Sequence, residues 1–345
     1  MKNPGIPSKD TDSIIHFIFS GFKSRPVWWF VVFLLVIGLV LPFVRHTGKI
    51  PGHMHTESLA ALAQRLYRHV WTLAETIGER HLEQPGSLEK TAQYIAQEFS
   101  ACGLEPFSQV FGKLPFRNVI AQIKGATTPD EIIIVGAHYD TVWLSPGADD
   151  NASGVAVLLE LACLLVKERH DKTLRFVAFA NEEQSFAETE NMGSRVYVQS
   201  MRAQKENGIA MFSLEMLGYY SDKPYSQNYP APLHWFYPHT ASFVAFVGNV
   251  PSSLLLFRTI RSFRRHSDFH AEGLAVPERL IPDIRRSDHA SFWDAGYPAL
   301  MVTDTSFYRN IHYHTVGDVA RTLDYSKMAA VVMGLRGMLA DIARD

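Results

Sequence analysis

Hydrophobic positions change their period along this chain, and each change marks an element. Ser58 to Ile77 places Leu59, Leu62, Ala63, Leu66, Val70, Leu73 and Ile77 on one face at helical spacing. Ser87 to Cys102 repeats the pattern, with Ser87 as N-cap and Gly103 as C-cap residue. Further helices are predicted at Ser153–Glu168 and Met192–Ala203. From about Ser326 onward, Met328, Val331, Val332, Leu335, Met338, Leu339 and Ile342 form the stripe of a last one. Between the helices lie short apolar runs, IIIV and FVAFA among them. They predict strands at Asn118–Ile123, Glu131–Val135, Thr173–Ala180, Ile209–Leu214 and Pro298–Thr303. Strands with no polar face are buried on both sides. The expectation is therefore an α/β fold, a mostly parallel or mixed central sheet with helices on both faces. Tyr219 to Asn249 is rich in proline and aromatics and keeps neither period, which predicts a long loop near a site.

The N-terminus departs from both periods. Val27 to Val44 (VWWFVVFLLVIGLVLPFV) is uninterrupted by charge and long enough to cross a bilayer core of roughly 30 Å. Trp28 and Trp29 stand where an interfacial aromatic belt belongs. Lys2, Lys9, Lys23 and Arg25 precede the run, against Arg45 and Lys49 after it, a bias that places residues 1–26 in the cytoplasm. A cleaved leader is the alternative, but no small-x-small cleavage site follows the apolar run. The expected organisation is a cytoplasmic segment at 1–26, a transmembrane signal anchor at 27–44, a linker at 45–57 and one catalytic domain at 58–345. The catalytic domain is expected on the extracytoplasmic side, periplasmic or luminal.

Composition adds mainly exclusions. A formal net charge of −2 lacks the basic stripe of a nucleic-acid binder. The two cysteines, Cys102 and Cys163, lie far apart in segments that read as helical. A domain with this much core needs no disulfide framework, and the sequence leaves their pairing open. Oligomeric state is not readable.

The chemistry-bearing residues fall just past predicted strands, where sites form in open α/β sheets. His138 and Asp140 end the strand EIIIVGAHYD, and i, i+2 spacing points both the same way, so Asp140 can orient the imidazole. In PGADDNASG, Asp149 and Asp150 lie in a Gly-bounded turn opening a helix, where a carboxylate can bridge two cations. Glu182 and Glu183 follow the strand LRFVAFA, Glu215 follows AMFSL, and His314 lies in NIHYHT. Each piece alone has a plain structural use: a hydrogen-bonded pair, a solvated surface, a helix cap. Together, two histidines and several carboxylates at one sheet edge provide the mixed N/O ligation that suits zinc. Two cations sharing a carboxylate would activate a bridging water and polarise a carbonyl, and one glutamate of the pair must stay off the metals as general base.

GAHYDT, PGADDNASG, ANEEQ, SDHASFWDAGYPA and HYHTVGDV resemble the co-catalytic zinc exopeptidases. That family includes bacterial leucyl-type aminopeptidases, glutamate carboxypeptidase and, with altered metal content, glutaminyl cyclases. The resemblance runs from about residue 60 to the C-terminus. It implies two Zn2+ per chain, with Asp150 bridging, His138 and Glu215 completing one site and Glu183 and His314 the other. It makes Glu182 the general base and Asp140 the partner of His138. The implied activity is hydrolysis of terminal peptide bonds in a peptide substrate, with aminopeptidase favoured over carboxypeptidase. Two positions depart from the pattern. Glu215 stands where many members have aspartate. Asp283-Ile284-Arg285-Arg286 replaces an oxyanion-stabilising tyrosine, leaving that role to an arginine or to zinc. Ser287-Asp288-His289 is expected to shape the site wall without ligating metal.

Competing readings are a single-zinc, glutaminyl-cyclase-like acyltransferase and a non-enzymatic relative of the transferrin-receptor type that has lost its ligands. The intact His138-Tyr139-Asp140 argues against the first, and the complete ligand set against the second.

Overall fold

The computed structural model of the chain describes residues 56–344 apart from 114, 115 and 184. The apolar run at 27–44, the segment before it and the linker up to residue 55 lie outside the described residues. Among the described residues no helix is long and apolar enough to cross a membrane.

Helix α1 (Thr56–Trp71) runs on into one π-helical turn, Thr72–Ile77, and its stripe of Leu62, Leu66, Val70 and Leu73 is buried. Helix α2 (Ser87–Ala101) is not capped by Ser87 as expected. Gly86 takes the cap position at φ 76, and the Ser87 hydroxyl turns back to donate to the carbonyls of Gln84 and His81. Its expected end holds: Gly103 adopts φ 89, a conformation that suits a residue without Cβ.

Then follow β1 (Phe107–Phe111), β2 (Phe116–Ile123), β3 (Thr128–His138), α3 (Gly154–Leu165), β4 (Lys172–Phe179), α4 (Gly193–Ala203) and β5 (Asn207–Glu215). The last part comprises β6 (Val244–Gly248), α5 (Ser253–His266), β7 (Ala271–Ala275), α6 (His289–Asp294), β8 (Ala299–Thr303) and α7 (Tyr325–Ile342). Every strand and helix read from periodicity in the described residues is present. Five short or half-exposed elements of the structure were not read from periodicity: β1, β6, β7, α5 and α6. The segment Tyr219–Asn249 is irregular only as far as Phe243. Its final stretch pairs as β6, a strand too short to announce itself among so many aromatics.

The eight strands form one sheet in the order β1-β2-β4-β3-β5-β8-β6-β7. Strand β3 runs parallel to β4 and β5, and β5 parallel to β8, whereas β2 and the β6–β7 pair run against this direction and the edge strand β1 returns to it. The sheet is thus mixed with a parallel centre. On one face Ile132, Ile134, Val177, Met211 and Met301 pack with Tyr197 of α4 and Phe292 of α6. Their alternates Ile133, Val135, Phe176, Phe212 and Val302 are also buried, and α3 and α5 lie against that side with α1 and α7 packed on them. Cys102 and Cys163 pair as a disulfide, Cα atoms 5.0 Å apart, joining the end of α2 to α3. The question that sequence left open is answered by this approach of two helix faces.

Candidate active site

The parallel centre brings the carboxyl ends of β3, β4, β5 and β8 to one edge, and the predicted residues converge there. His138 Nε2 lies 3.3 Å from Asp150 Oδ1 and 3.4 Å from Glu215 Oε2. His314 Nε2 lies 3.1 Å from Asp150 Oδ2 and 3.5 Å from Glu183 Oε2. Asp150 therefore turns one oxygen to each histidine. His138–Asp150–Glu215 and Asp150–Glu183–His314 each bring three ligand atoms within 4.8 Å of one another, and Glu182 forms a further group with His138 and Glu183.

The backbone that carries these groups is itself held by buried polar side chains. Asp140 Oδ1 and Oδ2 accept from the backbone N–H groups of Glu182 (3.1 Å) and Glu183 (3.0 Å). Its expected contact with His138 is a 3.5 Å approach of Oδ1 to Nδ1 outside hydrogen-bond geometry, so the carboxylate faces the ring and holds the Glu-Glu turn by hydrogen bonds. Asp318 does the same for the Asp149–Asp150 turn, accepting from the N–H groups of Asp149 (2.9 Å) and Asp150 (3.1 Å). Ser287 Oγ donates to Glu215 Oε2 at 2.7 Å. Asp149, the neighbour of Asp150, turns away to accept from Asn310 Nδ2 (2.7 Å) and the Gly218 N–H (2.9 Å). The Tyr313 ring stacks on His314 at 3.7 Å. Asn181, Met216 and His314 take positive φ of 60°, 52° and 57°, strain gathered beside the cluster.

Arg80 was not singled out from the sequence. It is fully buried and donates to five carbonyls, those of Leu73, Gly78, Tyr139, Pro146 and Gly147. It thereby ties the His138 and Asp150 loops together. Burial lowers its pKa to about 10, opposed by the fields of Asp318, Asp140, Asp150 and Glu183. A lone arginine after a helix carries no local signal of this role. Asp318 and Ser287 did have one, lying within the HYHTVGDV and SDH segments.

The electrostatics fit cations. His138 Nε2, His314 Nε2 and Glu183 Oε1 are buried with no hydrogen-bond partner, a cost that coordination removes. Burial pushes Glu182 well above the carboxylate range, and burial with the Asp150 charge lifts Glu183 to about 7. Burial works against a charged His314, yet the Asp150 and Glu183 carboxylates facing its Nε2 raise it to about 10. So many acids packed together demand positive charge, and the nitrogen and oxygen donors are those zinc takes.

Beside the cluster opens a cavity of about 120 Å3, walled mainly by apolar groups such as Tyr229, Leu233, Tyr237, Phe243 and Met301. The long aromatic loop supplies its outer wall, as expected from its composition. Arg286, from the segment that replaces the expected tyrosine, stands at the cavity with its Nε held by Asp283 at 2.8 Å and its guanidinium over Phe307. His289 is turned away from the cluster, its Nε2 2.7 Å from the Ile284 carbonyl oxygen.

Comparison with known proteins gives the family and agrees with the fold. The uncharacterised protein YfbL of Escherichia coli is 37% identical over 322 residues, covering 90% of this chain and 95% of its own length. A probable zinc metalloprotease of Pyricularia oryzae is 28% identical over 262 residues, 65% of this chain but only 49% of that protein. BSAP, a zinc aminopeptidase from Bacillus subtilis, has the same fold, with a TM-score of 0.65 at 18% identity over 82% of this chain and 95% of its own. The family model for peptidase family M28 matches residues 118–338, a span that holds every residue of the cluster described above, and this zinc-peptidase chain belongs to that family.

Proposed function

We propose that the chain is an aminopeptidase that holds two zinc ions, one on His138, Asp150 and Glu215 and the other on Asp150, Glu183 and His314. The observation that carries this reading is the split of Asp150, whose two oxygens face two separate histidine–carboxylate pairs. Zinc bound there would polarise a peptide carbonyl and lower the pKa of a water. Glu182 stands at the cluster outside both triads, its backbone fixed by Asp140, and serves as general base. It takes a proton from the attacking water and returns it to the departing amine. Asp150, Glu182, Glu183 and Glu215 all face the cavity, surroundings that favour a substrate α-ammonium over an α-carboxylate. This supports an aminopeptidase, as does the likeness to the Bacillus enzyme.

We place this domain outside the cytoplasm, held by the apolar run at 27–44. Pairing of Cys102 with Cys163 supports an oxidising compartment. Resistance of the domain to protease in sealed cells, alongside cytoplasmic markers, would count against this.

The test of activity is hydrolysis of leucyl anilide and its N-acetylated form by the full chain, with metal content measured in parallel. The expected result is cleavage of the free-amine substrate alone, with two zincs per active chain. Cleavage of the blocked substrate, or full activity at one zinc, would overturn the reading.

A further inference from the structure

One row of residues crossing the sheet links the metal cluster to a second carboxylate. Register pairs Glu215 of β5 with Thr303 of β8, Thr303 with Ala245 of β6, and Ala245 with Glu272 of β7. Alternation puts all four on the face of Met211, Met301, Val247 and Leu274, and all four line the cavity. Strands stand about 4.8 Å apart, so three spacings set the Glu215 and Glu272 Cα atoms about 14 Å apart. With both carboxylates standing on the same face, this spacing separates a group held at the cluster from one held by Glu272 by several ångströms. That is the reach of a long, unbranched side chain.

Glu272 is 12% exposed; its Oε1 lies 2.7 Å from His270 Nε2 on the outer edge, and Oε2 accepts no hydrogen bond among the described residues. The other acid away from the cluster, Asp283, is occupied by Tyr308 and Arg286. The hydroxyls of Tyr229 and Tyr237 donate to the carbonyls of Pro238 and Gly273, leaving ring surface as what they offer the cavity. An apolar channel with the reaction centre at one end and, at the other, a carboxylate oxygen with no protein donor among the described residues matches an aliphatic stem with a cationic tip.

We propose that Glu272 determines specificity, and that the preferred first residue of the substrate is lysine or arginine, its stem along the aromatic wall and its charged head on Glu272. The proposal rests on the aminopeptidase reading. The same carboxylate chemistry would also suit an α-ammonium one residue further upstream, and the test separates the two sources.

Kinetics of the zinc-loaded full chain in detergent would compare lysyl, arginyl and norleucyl anilides, norleucine having the stem without the charge. We expect lysine to exceed norleucine in kcat/KM by about 10- to 100-fold, the size of a charged hydrogen bond. Glu272→Gln should bring that ratio close to one by loss on the lysine side, with an unchanged melting temperature showing that the fold is intact. Calorimetric binding of lysine and norleucine hydroxamates reads the same preference without turnover. A lysine preference in binding with no hydrolysis would sink the aminopeptidase reading and leave Glu272 assigned. Equal handling of lysine and norleucine, or an equal loss of both in Glu272→Gln, would overturn the proposal. So would release of intact dipeptide from alanyl-alanyl anilide that disappears in Glu272→Gln, because Glu272 would then read the upstream ammonium.

Discussion

The metal cluster and the cavity beside it share one sheet edge, yet they are built in opposite ways. The cluster is a dense set of acids and histidines whose every carrier loop is pinned from behind: Asp140 under the Glu-Glu turn, Asp318 under Asp150, Ser287 on Glu215. The cavity is walled by apolar side chains, many from one long loop, and Glu272 keeps an oxygen without a protein donor among the described residues. Reaction geometry tolerates little displacement, so the cluster stands on hydrogen-bonded strand ends. A pocket that recognises a side chain needs volume and one correctly placed charge, which a packed loop over an edge strand can supply.

The sharpest way to break this contrast is within the cluster. Glu182→Gln should retain both zincs and the fold while turnover falls by about 10²–10⁴-fold, the usual loss of acid–base catalysis. Glu183→Gln, one residue on, should lose zinc, with excess metal restoring part of the activity. Metal content by mass spectrometry beside turnover at saturating substrate decides it, and near-normal turnover in Glu182→Gln would refute the division of labour.

A smaller effect is expected behind the ligands. Ser287→Ala removes the donor to Glu215 and should weaken zinc by about 10–100-fold, as loss of a ligand's supporting group commonly does. Chelator competition measures it. Unchanged affinity would mean that Glu215 needs no support, and the two regions would differ less than argued.

The smallest effect belongs to the cavity wall. Leu233→Ala enlarges the pocket and should lower kcat/KM for long side chains by about tenfold, the scale of methylene-sized discrimination, with zinc affinity untouched. A loss of metal in this variant would show that wall and cluster are mechanically one unit.

The sequence by itself determined the strand–helix alternation, because fully buried strands and amphipathic helices write their burial into local periodicity. It also determined the cluster, because each of its groups lies at or just past a strand end or in a short motif, and parallel neighbours bring those ends together. Only the tertiary structure decided the rest. Ser87 lost its capping role to Gly86, whose positive φ suits the entry to the helix. Cys102 met Cys163 because two helix faces pack together. Arg80 became a tie between metal loops by reaching carbonyls distant in sequence. The row from Glu215 to Glu272 exists only through the register of β8, β6 and β7, two of which are too short to read from their own residues. Local patterns record what each segment must bury, whereas distances between segments are set by pairings whose partners no single stretch of sequence names.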